Sequence, residues 1–319
     1  MASLRVGCFA PATGTWAPLP AAASRACRRR PSAHGYGDGS HRLLPLWLTT
    51  AGICCSRAAA HAHATRRRLR KLSRRVLQPY AIEPINPFMS EMRATARGLA
   101  KRGTGMLDTS EPPEELERLL VLAGADGGAE SRRAWRELLY ATEGLARFCS
   151  CVILEEEALQ QKTGDGRSFV ELLQEQGVIV GIRADTGFYP LNGYGEKGTD
   201  GYADLDQRCQ EYYRRGIRLA KWRLEVCCSM ELPTDVAVWE NSTQVGEAAS
   251  VCQASGLAFA AEVAFTSGPG NHSLDRTSYV AEKVYSQVVR MMNECDASVE
   301  AAALITGVFG AGPEAGPVR

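Results

Sequence analysis

Short apolar segments that alternate with longer, helix-like stretches constrain the fold of this chain more than any other feature. Six of these segments have the length of buried strands, and polar residues fall towards their ends. They are Gly105–Leu107, Cys149–Leu154, Val178–Ala184, Leu219–Leu224, Leu257–Phe265 and Val299–Ile305. Strands that alternate with helices in this way are typical of a parallel α/β fold. The pattern predicts a TIM-type (β/α)8 barrel that is incomplete, with about six βα units.

Helices are predicted between these strands from apolar residues at helical spacing. They cover 86–99, Glu114–Leu122, Ser131–Thr142, Phe169–Gln176, Leu205–Arg215, Thr234–Ser255 and Asp275–Asn293. Ser131 is the expected N-cap of its helix. A doubly wound sheet is the main alternative. It is the weaker one, because no G-x-G-x-x-G or G-x-x-x-x-G-K-[ST] phosphate loop follows the first strand.

The fourth predicted strand, Leu219–Leu224, carries two cations that a buried strand does not normally contain. Lys221 and Arg223 are two residues apart, so their side chains share one face of the strand. Such residues are almost never fully buried unless they are paired or face a ligand. The two side chains therefore predict a positive binding surface, and the alternative is an edge strand with solvated cations.

The net charge of +1 over 319 residues hides an uneven distribution. The first 82 residues contain many arginines and a single acid, Asp38, whereas the remainder is acidic, so the total charge does not indicate nucleic-acid binding. Residues 1–80 have the composition of a targeting-like or disordered basic leader. This composition predicts a plastid or another organelle, with the cytoplasm as the alternative; a wrongly assigned gene start would also explain it. The apolar run Leu43–Cys55 within it is too short to span a bilayer.

The cysteines and histidines do not indicate a metal site. Eleven cysteines are present, but Cys54-Cys55 and Cys227-Cys228 are adjacent pairs, and no C-x-x-C spacing occurs. We expect most of them to be reduced thiols. The five histidines do not cluster on predicted strands, and His272 is expected in a solvent-exposed loop.

Several longer segments match one known family in the right order. The most specific are 148–160 (FCSCVILEEEALQ), 177–190 (GVIVGIRADTGFYP), 191–193 (LNG), 214–223 (RRGIRLAKWR) and 274–277 (LDRT). From about Tyr80 to Gly312 the chain resembles the class I fructose-bisphosphate aldolases, the plant and algal forms most closely. The resemblance implies a barrel over 81–312 followed by a tail at 313–319, a sugar-phosphate ligand, no cofactor and a homo-oligomer.

In that family a lysine amine forms a Schiff base with the ketose carbonyl, and a carboxylate handles the C4 hydroxyl proton as the C3–C4 bond breaks. The resemblance implies that Glu262 is the acid-base glutamate and that Lys221 is a second retained catalytic position. Arg183, which stands where the family has a lysine, would bind substrate phosphate together with Lys221 and Arg223. Asp185 would support the site.

Three positions depart from the family pattern. Ser110 stands in the place of an aspartate on the first strand, Ala264 replaces the second glutamate of the fifth strand, and Ile305 occupies the place of the Schiff-base lysine. Since isoleucine has no amine, we expect aldolase activity to be absent or very weak. The alternatives are a non-catalytic protein that binds a sugar phosphate, another anion or a partner, and a truncated gene product, because Arg319 precedes the segments for strands seven and eight.

Overall fold

A computed structural model describes residues 86–268, 271–307 and 310–312. The predicted leader at 1–80 and the predicted tail at 313–319 lie outside the described residues. Both assignments therefore stay predictions, as does a domain boundary near residue 81. None of the described helices is both long enough and apolar enough to cross a membrane.

The described chain contains a curled parallel sheet of six strands in the order β1-β2-β3-β6-β7-β8, and a separate antiparallel hairpin, β4-β5. The strands are β1 Gly105–Asp108, β2 Cys149–Leu154, β3 Ile179–Arg183, β4 Gly187–Pro190, β5 Lys197–Asp200, β6 Leu219–Cys228, β7 Ala258–Ser267 and β8 Ala302–Thr306. This architecture confirms the predicted α/β fold, an incomplete TIM-type barrel.

Eight α-helices accompany the strands in the described part of the chain. They are α1 Met89–Leu99, α2 Pro113–Leu122, α3 Ala129–Tyr140, α4 Glu156–Gln160, α5 Phe169–Glu175, α6 Leu205–Arg214, α7 Asp235–Ala254 and α8 Leu274–Glu294. Polar capping residues define the N-terminal ends of several helices. Ser168 and Glu171 form a capping box at α5, and the Thr234 hydroxyl accepts a hydrogen bond from the Ala237 amide at α7.

Two local predictions are wrong, and one element was not predicted. Helix α3 begins at Ala129 after Gly128, so Ser131 lies inside the helix and is not its N-cap. The segment Val299–Ala301 is a 3-10 turn, and only the following five residues form the strand β8. The β4-β5 hairpin was not predicted from the sequence.

Apolar side chains pack on both faces of the curled sheet. Those on the outer face, such as Val180, Trp222 and Val263, form the larger core with the surrounding helices. Those on the inner face form a smaller core of Ile153, Leu219, Ala260 and Ala303, which Met92 and Leu99 of α1 complete. Helix α1 therefore fills one end of the curled sheet, and the inner-face residues further along the strands remain free to line a cleft.

Candidate functional site

A cleft of about 490 Å³ lies inside the curled sheet, and it brings together the charged residues predicted from sequence. Lys221, Arg223, Arg183, Asp185 and Glu262 all line it. Arg183 ends β3 and Asp185 follows it, at the end of the strands where barrel enzymes of this fold place their active sites. Lys221, Arg223 and Glu262 lie within the longer strands β6 and β7, where the register brings Lys221 level with Arg183. Other lining residues come from the end of β1, the β1-α2 connection, the start of α2 and the hairpin: Asp108, Ser110, Glu111, Pro112, Glu115, Gly187 and Phe188.

The register of the sheet explains why these side chains meet. Arg183 pairs with Lys221 across β3 and β6, and Arg223 pairs with Glu262 across β6 and β7. Glu262 in turn pairs with Ile305 of β8. Paired residues on neighbouring parallel strands point to the same face, so the five side chains share the inner face of the sheet.

Lys221 is almost fully enclosed, with 3% of its surface exposed. Its Nζ donates to Asp108 Oδ2 at 2.6 Å and to Ser110 Oγ at 2.7 Å, and it lies 3.1 Å from Glu262 Oε2. Burial by itself lowers the pKa of Lys221, but the attraction of the Asp108 and Glu262 carboxylates outweighs it and raises the pKa. The side chain is therefore held as an ammonium ion.

Asp108 is the site residue that sequence reasoning missed. Ser110 led us to expect that the first-strand carboxylate is missing, but the Asp108 carboxylate at the end of β1 reaches Lys221 from two residues earlier. Its Oδ1 also accepts from the Ser110 hydroxyl at 2.6 Å and from the Ser110 amide at 3.1 Å. Burial opposes ionisation of Asp108, yet Lys221 and Ser110 together lower its pKa. The first strand thus does supply a carboxylate to the cleft.

Arg183 is engaged mainly with neighbouring protein groups. Its Nη1 donates to the Ser110 carbonyl oxygen at 2.8 Å, and its guanidinium lies 3.9 Å from the carboxylates of both Glu155 and Asp185. Asp185 is buried and accepts from the Arg223 backbone amide at 3.2 Å. Burial raises the pKa of Asp185, although the nearby Arg183 and Lys221 charges oppose this rise.

Arg223 is placed differently from the other two cations. It makes no ion pair within the part of the chain that the structure describes, and its buried Nε has no hydrogen-bond partner there. Its guanidinium carbon lies 5.8 Å from the centre of the Phe188 ring on β4. Thr199 of β5 donates to the Arg223 carbonyl oxygen at 2.7 Å, which fixes the hairpin against β6.

Ile305 does not line the cleft but packs on the inner core beside Glu262. No lysine occurs in β8, whose sequence is Ala302-Ala303-Leu304-Ile305-Thr306. Ala264 lies two residues beyond Glu262 on β7 and is 7% exposed. That Ile305 and Ala264 occupy the family's lysine and glutamate places stays a prediction.

His272 and the paired cysteines lie apart from this site. His272 is 3% exposed, so the expectation of a solvent-exposed side chain is wrong; its carbonyl oxygen accepts from the Gly312 amide, which covers the loop. Cys227 and Cys228 are free thiols. Burial raises the pKa of Cys227, so this thiol is a poor nucleophile at neutral pH.

Comparison with known proteins identifies one family. The profile of the family described as fructose-bisphosphate aldolase class-I matches residues 91–316. A fructose-bisphosphate aldolase of Dictyostelium discoideum is 35% identical over 221 residues, covering 68% of this chain and 62% of that protein. The cytosolic fructose-bisphosphate aldolase 5 of Arabidopsis thaliana is 36% identical over 211 residues, covering 66% of this chain and 59% of that protein. The chain thus spans about three fifths of the length of these relatives.

A solved structure gives the same result for the fold. It is fructose-bisphosphate aldolase from Plasmodium falciparum, in a ternary complex with TRAP and a small-molecule inhibitor. The two structures superimpose with a TM-score of 0.69 at 32% sequence identity, covering 74% of this chain and 68% of that one.

Proposed function

Because the chain belongs to the class I fructose-bisphosphate aldolase family, we propose that it is a member that binds sugar phosphate but carries out aldol cleavage very weakly or not at all. The family reaction is the reversible cleavage of fructose 1,6-bisphosphate to dihydroxyacetone phosphate and glyceraldehyde 3-phosphate, as in glycolysis and the Calvin cycle. The observation that carries the proposal is the apolar side chain of Ile305 directly beside Glu262.

The Schiff base is what makes this cleavage possible in the family. Protonated imine nitrogen withdraws the electron pair that is released when the C3–C4 bond breaks. An isoleucine forms no covalent bond to the ketose, so this electron pair has no acceptor at Ile305. Loss of a covalent nucleophile removes several orders of magnitude of rate, because the remaining groups only bind and polarise the substrate.

Lys221 does not replace the missing amine. An imine forms only from a neutral amine, whereas the Asp108 and Glu262 carboxylates favour the ammonium form of Lys221. Its three hydrogen-bonding neighbours also occupy the directions from which a carbonyl carbon would approach. Lys221 and Glu262 are therefore proposed as a charged pair that shapes the wall of the ligand cleft.

Two measurements on the purified protein test the proposal. Cleavage of fructose 1,6-bisphosphate, followed with a coupling dehydrogenase and with zinc chelated, is expected to equal the blank. Borohydride reduction in the presence of substrate, followed by mass mapping, is expected to find no modified lysine. Lys221→Met is the matched control for the trapping experiment, because it removes the only lysine in the described lining of the cleft. Turnover at a rate typical of an enzyme, or trapping that Lys221→Met abolishes, would refute the proposal.

Ile305→Lys is expected to restore little activity. A lysine at this position would lie beside Glu262 in the register and would be drawn into an ion pair with it. Ala264 would still lack the second carboxylate of the family pattern. Full recovery of cleavage by this single change would show that the rest of the site is intact.

Location and assembly are further parts of the proposal. The basic, acid-poor residues 1–80 favour import into a plastid or another organelle, and the alternative is the cytoplasm, where relatives such as the Arabidopsis protein are named as cytosolic. A fluorescent protein fused behind residues 1–80 is expected to enter an organelle; diffuse cytoplasmic fluorescence would favour the alternative. Light scattering of the purified chain tests the proposed homo-oligomer.

A further inference from the structure

We infer that the cleft takes a ligand with a single phosphate group, bound by Arg223, in preference to a bisphosphate. The inference rests on the proposed function, in which the cleft binds a sugar phosphate without cleaving it. It specifies which sugar phosphates fit and which side chain holds them. It is carried by the charges that line the cleft and by what each cation already contacts.

Charge is the first reason. Five carboxylates line the cleft against three cations, Arg183, Lys221 and Arg223. The carboxylates are those of Asp108, Glu111, Glu115, Asp185 and Glu262. Since Glu115 is already paired with Arg118, the other four carboxylates leave a formal excess of one negative charge. Each phosphate monoester brings about −1.5 to −2 charges at pH 7. A second phosphate therefore enters a field that already repels anions.

Two of the three cations are committed to protein groups. Lys221 is within 3.1 Å of both the Asp108 and Glu262 carboxylates, and it is almost fully buried. Arg183 donates to the Ser110 carbonyl oxygen and lies between two carboxylates. A phosphate that took either cation would leave a buried carboxylate without its partner, which is costly in a site of this kind.

Arg223 is the one cation of the described lining that is not paired with a carboxylate. Arg223 lines the cleft, and its guanidinium forms no ion pair among the described residues. Its Nε also has no hydrogen-bond partner there. A guanidinium binds phosphate oxygens through two parallel N–H donors, a geometry that an ammonium does not provide. The nearby Phe188 ring supplies an apolar wall that limits competition from water. One phosphate can thus be satisfied at Arg223 without breaking an existing pair.

Isothermal titration calorimetry of the full chain at low ionic strength tests this inference. The probes are fructose 1-phosphate, fructose 6-phosphate and fructose 1,6-bisphosphate. We expect the tighter of the two monophosphates to bind at least as tightly as the bisphosphate. Arg223→Gln is expected to weaken monophosphate binding at least tenfold. Arg290→Gln, which removes the same charge from the exposed face of α8, is the matched control and is expected to change it less than twofold.

Two further variants keep the inference testable. Arg223→Lys keeps the charge but loses the two-donor geometry, so it is expected to bind the monophosphate several-fold more weakly than wild type. This variant tests the inference even if Arg223→Gln does not fold. Glu111→Gln removes one lining carboxylate and is expected to improve bisphosphate binding more than monophosphate binding. Melting curves of all variants report on folding separately from binding.

Three results would overturn the inference: a bisphosphate that binds tighter than both monophosphates, unchanged affinity in Arg223→Gln, or no binding of any probe. Failure of the proposed function has a different signature. Cleavage of the bisphosphate, measured in parallel, would refute the absence of aldolase activity, whereas the ranking of the ligands depends only on their heats of binding.

Discussion

The buried pair between Asp108 and Lys221 is expected to contribute measurably to the stability of the fold. Asp108→Asn keeps the size of the side chain but removes the charge that faces the Lys221 ammonium at 2.6 Å. The new amide can present an oxygen either to Lys221 or to Ser110, whereas the carboxylate serves both at once. One of the two interactions is therefore lost whichever way the amide turns.

The expected loss of stability depends on which partners Lys221 keeps in the Asp108→Asn variant. A hydrogen bond to a charged group contributes about 1.5 to 3 kcal/mol. Lys221 keeps Glu262 and Ser110 as partners, and the Asp108 side chain is 24% exposed, so the loss stays well below that of a fully unpaired buried charge. We expect the free energy of unfolding to fall by about 2 kcal/mol, which with an m-value of about 2 kcal/mol per M moves the urea midpoint by about 1 M.

The effect should depend on pH in one direction. The folded protein lowers the pKa of Asp108, so the unfolded state binds more protons as the pH falls. The stabilisation by Asp108 is then complete above about pH 5 and is lost as the pH drops through the lowered pKa. Wild type and Asp108→Asn should therefore differ at neutral pH and converge in acid.

Urea unfolding followed by circular dichroism at several pH values measures this difference. Asp235→Asn is the matched control, because Asp235 pairs with Lys283 at 2.5 Å but its side chain is 92% exposed. Exposed pairs contribute little, so the control should lose less than half as much stability as Asp108→Asn. Equal losses in the two variants would refute the reasoning about burial, and a difference from wild type that does not shrink as the pH falls below about 4 would refute the role of the Asp108 charge.

Two further predictions concern the helices, one their packing and one a capping residue, and both use the same urea assay. Gly246→Ala is expected to lower the free energy of unfolding by about 1 to 3 kcal/mol, because a Cβ there would lie 2.6 Å from the Met291 carbonyl oxygen. Gly193→Ala is its control, since nothing lies within 4 Å of the added carbon, and a large loss in that control would contradict the argument. Ser168→Ala removes the cap of α5 and should cost about 1 kcal/mol, whereas Ser168→Thr keeps the hydroxyl and should cost less; equal losses would argue against the cap.

The sheet was predictable because its strands are buried on both faces. Cys149–Leu154 and Leu219–Leu224 are continuous apolar runs apart from Ser150 and the charged residues of the site, and such runs are distinctive of parallel strands. The cations of the fourth predicted strand were informative for the same reason. In a buried strand a charge requires a partner, and Lys221 has two carboxylate partners.

The hairpin was not predictable from periodicity. Its strands have four residues each, Gly187–Pro190 and Lys197–Asp200, and one of them ends in proline, so neither shows a regular alternation. Tertiary contacts hold it instead. The buried Glu196 accepts from the Asn192 side chain and from the amide and hydroxyl of Thr234, which ties the hairpin to the start of α7.

The position of the first-strand carboxylate shows where comparison by sequence position reaches its limit. A family pattern assigns a role to one column, and Ser110 in that column implied that the carboxylate is absent. Strand β1 ends at Asp108, which pairs with the inner-face residue Ile153 of β2, so the Asp108 side chain points into the cleft. The Asp108 carboxylate then reaches Lys221 directly, while the Ser110 hydroxyl bridges the same two groups. The charge balance around Lys221 is therefore set by which side chains of β1, β6 and β7 face the cleft, and a substitution in one column of a family pattern does not by itself show that a charge is missing.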